Sequence, residues 1–124
     1  MRTTARLLTT FTTVATLIGA LSLPSTASAA DEKPKSAVEQ GKAIAFDNKK
    51  GNCLACHFIE GGELPGNIGP ALASMKDRFN KAKLRAQIFD ASKSNPNTIM
   101  PPFGRHAILT DEEIDQVTEF IYTL

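Results

Sequence analysis

Beyond residue 36, apolar positions recur with helical spacing in three stretches, and no stretch shows a convincing period-two run of a strand. Val38, Ala43, Ile44, Ala45 and Phe46 supply the apolar side of a first helix running to about Phe46. Ser36, with Glu39 three residues later, caps its start. Leu84, Ile88 and Ala91, with Phe89 beside them, mark a second helix over about 81–91, preceded by one or two helical turns around Leu72 and Met75. Ile114, Val117, Ile121 and Leu124 form the third stripe, flanked by Phe120 and Tyr122. Thr110 and Glu113 make a capping box before it, and acids occupy the first turn, where the helix dipole is positive.

Gly41 interrupts the first helix at a cost of roughly 1 kcal/mol against alanine. It predicts a close crossing there, with the terminal helix as partner; the plain alternative is a tolerated surface glycine. Between the helices, Gly61 to Pro70 is too rich in glycine and proline for regular structure and reads as a loop that wraps something. Ser92 to Asn97 ends the second helix, and Thr98 to Gly104 follows as an extended segment stiffened by Pro101 and Pro102. The charges along 76–90 include a basic majority, which reads either as a solvated helix face or as a docking patch. The expectation is an all-α domain.

The N-terminus reads as a secretion signal over 1–29. Arg2 and Arg6 precede an apolar run from Leu7 to Leu23, and Ala27-Ser28-Ala29 supplies a cleavage site after Ala29. Threonines, Gly19 and Pro24 make that run poor material for a permanent membrane anchor. No adjacent arginine pair is present, which favours the general secretory route and a periplasmic destination. Residues 30–35, with Pro34, read as a flexible lead-in to a domain over 36–124. Removing 29 of the 124 residues leaves 95, a marginal size for a core of side chains alone. The signal takes two of the 14 basic residues, so the mature chain carries 12 against 13 acids. That balance speaks against nucleic acid or an anionic membrane as main partner.

The chemistry concentrates at Cys53-Leu54-Ala55-Cys56-His57, which holds the only two cysteines of the chain. Two thiols three positions apart can each add to a vinyl group on one edge of a haem, and the residue after the second can reach the iron. Cys53 and Cys56 are therefore read as thioether positions and His57 as the proximal ligand. A zinc site needs about four ligands, and outside the motif only His106 is on offer. A dithiol redox pair needs an alternating strand and helix scaffold, for which the pattern gives no support. A buried haem also supplies the apolar centre that so small a domain lacks, and with both cysteines committed none remains for a disulfide. In the glycine-rich loop, the carbonyl of Pro70 is assigned as acceptor for the far nitrogen of His57, fixing its ring.

Met100 is assigned as second axial ligand. It precedes two prolines in a stiff segment and follows His57 by 43 residues, enough chain to reach the opposite haem face. The alternatives are that Met100 only packs on the ring, with Met75 as the rival sulfur. His106 beside Arg105 reads as a surface residue; a bis-histidine iron would have a lower potential than a His/Met one.

The first and last helices, the Cys53-x-x-Cys56-His57 motif, the Gly69-Pro70-x-Leu72 loop and the late Met100 together resemble a class I cytochrome c over essentially the whole mature chain. By that resemblance Leu72 touches the haem and Pro70 supports His57. A narrower resemblance lies in Gly51 to His57, Pro65 to Pro70, Asn95 to Gly104 and the ending Phe120 to Leu124, which are similar to the SoxX family, the small haem subunits of SoxAX complexes in bacterial sulfur oxidation. It implies one haem c and a SoxA-like haem subunit as heterodimer partner. It also implies a SoxYZ-like carrier whose cysteine receives thiosulfate as an S-thiosulfonate, two electrons being released, and a soluble cytochrome c as acceptor. In that family the bond-forming chemistry belongs to SoxA, so this chain is expected to move electrons and to hold no catalytic residue. A free periplasmic single-haem shuttle is the alternative.

Overall fold

The structure, a computed structural model, describes residues 34–124. The signal segment and its cleavage site, expected over 1–29, lie outside the described residues, as does most of the lead-in. The described chain is helical, with no strand: α1 (Ala37–Phe46), α2 (Met75–Arg78), α3 (Lys81–Phe89) and α4 (Asp111–Ile121), with short 3-10 turns at Cys53–Ala55 and Ala91–Lys93. Among the described residues no helix is long and apolar enough to cross a membrane.

Both capping boxes form. The Ser36 hydroxyl accepts from the Glu39 N–H while the Glu39 carboxylate accepts from the Ser36 N–H. Thr110 and Glu113 repeat the arrangement at α4. Each satisfies two of the backbone groups that a helix end otherwise leaves unpaired.

Helices α1 and α4 cross at Gly41. A Cβ built there falls 1.9 Å from the carbonyl oxygen of Gln116, so the two backbones touch where a side chain would stand. Gln116 donates to the Gln40 side-chain oxygen at 2.8 Å beside the crossing, and the Phe46 and Phe120 rings meet edge to face with centroids 5.9 Å apart. The buried stripe of α4, formed by Ile114, Val117, Phe120 and Ile121, then packs with Ala45, Ile59, Leu84 and Ile88 into one core. Each such large aliphatic stabilises by about 1.5–3 kcal/mol relative to exposure.

Helix α3 ends two residues before the expected limit. The Asp90 carboxylate turns back to accept from the Ser92 N–H, which starts a 3-10 turn in place of another helical one. Two of the three cations of α3, Lys81 and Arg85, are engaged by α4. Arg85 spans Asp111 and Asp115 of α4, at 3.0 and 2.5 Å, and Lys81 pairs with Glu119 at 2.9 Å. The α3–α4 seam is thus charged outside and apolar inside.

Candidate functional site

Two backbone ties hold the cysteine motif onto the end of α1. The Gly51 N–H donates to the Ile44 carbonyl at 3.1 Å and the Asn52 N–H to the Asp47 carbonyl at 3.0 Å. Asn52 takes a left-handed conformation, φ 45°, which asparagine tolerates and which turns the chain into the Cys53–Ala55 turn. The N–H groups of Cys56 and His57 both donate to the Cys53 carbonyl, at 3.2 and 2.9 Å. That curl brings the two sulfurs and the imidazole to one side.

The glycine-rich loop then runs back along the motif. Gly66 donates to Leu54, Gly69 to Cys56 and Leu72 to Phe58, at 2.7, 2.8 and 2.9 Å. Glycine is required twice here. A Cβ at Gly66 would lie 2.0 Å from the Ala55 carbonyl, and one at Gly69 would strike the His57 ring at 2.5–2.9 Å. The loop therefore lies flat on the imidazole, and the Pro70 carbonyl oxygen sits 2.7 Å from His57 Nδ1. This bond assigns Nδ1 as the protonated nitrogen and leaves Nε2 as the nitrogen able to bind a metal.

These groups line a cavity of about 780 Å³ whose exposed wall is mostly apolar, a size typical of cofactor sites. Cys53, Cys56, His57, Pro70, Leu72 and Met100 all contribute to its wall. Its floor is the core side chains Leu84, Ile88, Val117 and Ile121. The charged residues in the wall are Lys49, Lys50 and Arg78, all cationic, which suits a flat apolar cofactor bearing carboxylates. Two thiols, one oriented imidazole and the thioethers of Met75 and Met100 around an apolar cavity fit a covalent haem.

The rival assignments fare differently. Met75 also reaches the wall, but it is buried in the core, its sulfur accepts from Arg78 at 3.6 Å, and its N–H donates to the Leu124 carbonyl at 2.9 Å. His106 is exposed and stands away from the cavity. Among the described residues no group of three or more His, Cys, Asp and Glu gathers as a metal cluster. Burial pushes the Cys53 thiol up to about 11, whereas dithiol redox motifs depend on an acidified thiol.

Three supporting residues join those read from the sequence. The Arg78 guanidinium donates to the Ala71 carbonyl at 2.9 Å, bracing the chain just after Pro70. The Thr98 hydroxyl accepts from the Met100 N–H at 3.1 Å, a local turn that the residue type two before the methionine does signal. Asp90, expected among solvated charges, is 3% exposed and pairs with Arg105 at 2.9 Å.

The cytochrome c family model matches residues 38–124. An uncharacterized lipoprotein of Aquifex aeolicus (strain VF5) is 34% identical over 77 residues. That stretch is 60% of this chain and 37% of the relative, so the chain spans little more than a third of that relative's length. Among solved structures, the crystal structure of SoxXA from P. pantotrophus matches with a TM-score of 0.64 at 31% identity, covering 69% of this chain and 80% of that one. The chain belongs to the cytochrome c family, as a SoxX-like class I member with one covalently bound haem c.

Proposed function

We propose that this chain is the electron-transfer haem subunit of a SoxAX-type complex. In this reading Cys53 and Cys56 would hold the haem through thioether bonds, His57 and Met100 would ligate its iron, Pro70 would fix the His57 ring and Leu72 would pack on the haem. The observation that carries it is the convergence of these side chains on one apolar cavity, with His57 Nδ1 already engaged by the Pro70 carbonyl. A haem so held would supply one-electron transfer, with the His57 imidazole and the Met100 thioether leaving no open position for substrate and the thioether raising the potential. The protein supplies orientation, exclusion of water and a rigid cage, and no group in it is assigned to bond-making chemistry.

The likeness to SoxXA supports the partners. A SoxA-like haem subunit forms the heterodimer, a SoxYZ-like carrier presents the cysteine that takes up thiosulfate, and a soluble cytochrome c receives the electrons. Residues 1–29 act as a cleaved signal, and the cytochrome domain, over 36–124, works in the periplasm; cytochrome c membership and the lipoprotein relative support a place outside the cytoplasm.

The test is isolation of the native protein under mild conditions. A second haem subunit in fixed proportion, with thiosulfate-dependent modification of a carrier cysteine, is the expected result. A lone haem protein that exchanges electrons with many partners would replace this reading with that of a free shuttle.

A further inference from the structure

We propose that Asp90 and Arg105 form a positioning pair that closes the neck of the segment carrying Met100 and so holds its sulfur on the iron; this rests on the reading of Met100 as the second axial ligand.

The chain leaves α3 at Phe89 and returns to the same place at Gly104. The Gly104 N–H donates to the Phe89 carbonyl at 3.0 Å, and the Arg105 N–H reaches that oxygen at 3.4 Å. Gly104 lies against the Phe89 ring, where a Cβ would meet ring carbons at 2.1–2.7 Å. One carboxylate then ties both sides of the neck. Asp90 Oδ1 accepts from the N–H and hydroxyl of Ser92 on the outgoing side, at 3.2 and 2.5 Å, while Oδ2 accepts from Arg105 Nε on the returning side, at 2.9 Å. Hydrogen bonding by Ser92, with the Arg105 charge, holds this carboxyl below the usual aspartate range.

Inside the loop the path to Met100 has little slack. The Asn95 N–H donates to Ala91, the Thr98 N–H to Asn95, and the Met100 N–H to the Thr98 hydroxyl, at 3.0, 3.0 and 3.1 Å. On the other side Pro101 and Pro102 fix two φ angles, and Phe103 is anchored in the core. Movement at the neck therefore carries through to the methionine. Exposed ion pairs contribute little. This one differs because Asp90 is buried, so removing Arg105 leaves a buried carboxylate with only its Ser92 hydrogen bonds and the weaker attraction of Lys93.

The test uses the purified holoprotein and imidazole, which competes for the distal position of the ferric iron, so its apparent affinity follows the fraction of molecules with that position open. Arg105→Gln and Asp90→Asn should each raise imidazole affinity by about tenfold with the haem still covalently attached, and Arg105→Lys should restore most of the wild-type value. In a Met100→Ala background Arg105→Gln should add nothing, because the position is already open. Unchanged affinity in Arg105→Gln, with Met100→Ala markedly tighter, overturns the positioning role. An equal gain in both backgrounds also overturns it, since the effect then bypasses the methionine. Unchanged affinity in Met100→Ala removes the ligand reading itself and the proposal with it. Arg105 is half-exposed, so its variant reports even where Asp90→Asn fails to fold.

Discussion

The Nδ1 atom of His57 stands 2.7 Å from the Pro70 carbonyl oxygen, and the residue between loop and ring, Gly69, leaves no room for a methyl group. Gly69→Ala must push either the imidazole or the loop, a strain of about 1–3 kcal/mol. The expected outcome is a lower unfolding midpoint together with a shifted reduction potential. Pro70→Ala, which keeps the carbonyl, should shift the potential far less. Equal potentials for wild type and Gly69→Ala would show that the loop does not set the ring.

Met100→Ala should leave haem covalently attached through Cys53 and Cys56 but open the iron. The reduced protein should then bind carbon monoxide and the potential should fall, since the loss of thioether ligation removes the feature that raises it. Absorption spectroscopy with carbon monoxide and a redox titration check both. An unchanged spectrum and potential would eliminate Met100 as the ligand.

Gly41→Ala places a methyl group on the Gln116 carbonyl, which belongs to backbone and cannot rotate away. Overpacking of this kind costs about 1–3 kcal/mol, occasionally more, outweighing the gain of roughly 1 kcal/mol in helix propensity. Urea denaturation should show a net loss of stability. A gain would mean that the helices separate at no cost.

The pH dependence turns on Lys50 and Glu113, which tie the segment before the haem motif to the first turn of α4. The hydrogen bond from Lys50, joined by the Thr110 N–H, holds the Glu113 carboxyl below its ordinary 4.5. Its contribution is complete above pH 4.5 and is lost as pH falls through the lowered value. The same bond raises the Lys50 ammonium above its ordinary 10.5, so that side is complete below 10.5 and is lost at higher pH. Glu113→Gln keeps a capping side chain but removes the charge. Its melting temperature should therefore fall furthest below wild type between these two values, converge with it in acid, and differ less in high salt. A difference that persists unchanged well below pH 4.5 would assign the effect to packing.

Much of the fold is legible because its determinants are local. Ser36 with Glu39 and Thr110 with Glu113 carry their partners within one helical turn, so both helix starts can be read directly and both capping boxes form. Gly41 is a weaker signal, since a glycine reports only that a side chain is missing. The structure supplies the reason, the Gln116 carbonyl of a helix 75 residues further on. The end of α3 is less legible still: Asp90 can continue a helix or cap a new turn, and in the structure it caps, one carboxylate oxygen accepting from the Ser92 N–H while the other meets Arg105.

By itself, the sequence determined which atoms are available for the chemistry: two thiols and an imidazole at fixed covalent spacing, a proline-stiffened methionine, and a loop too rich in glycine and proline for regular structure. These follow from bond geometry and backbone freedom, which need no distant partner. Only the tertiary structure decided which charges are surface and which are structural. Arg85 and Lys81 are matched to α4, Asp90 is buried at the neck of the Met100 segment, and Met75 is built into the core. The physical reason is that burial and charge pairing depend on what other elements bring alongside, and Asp90 and Arg105 become neighbours only when the chain between them closes into a loop.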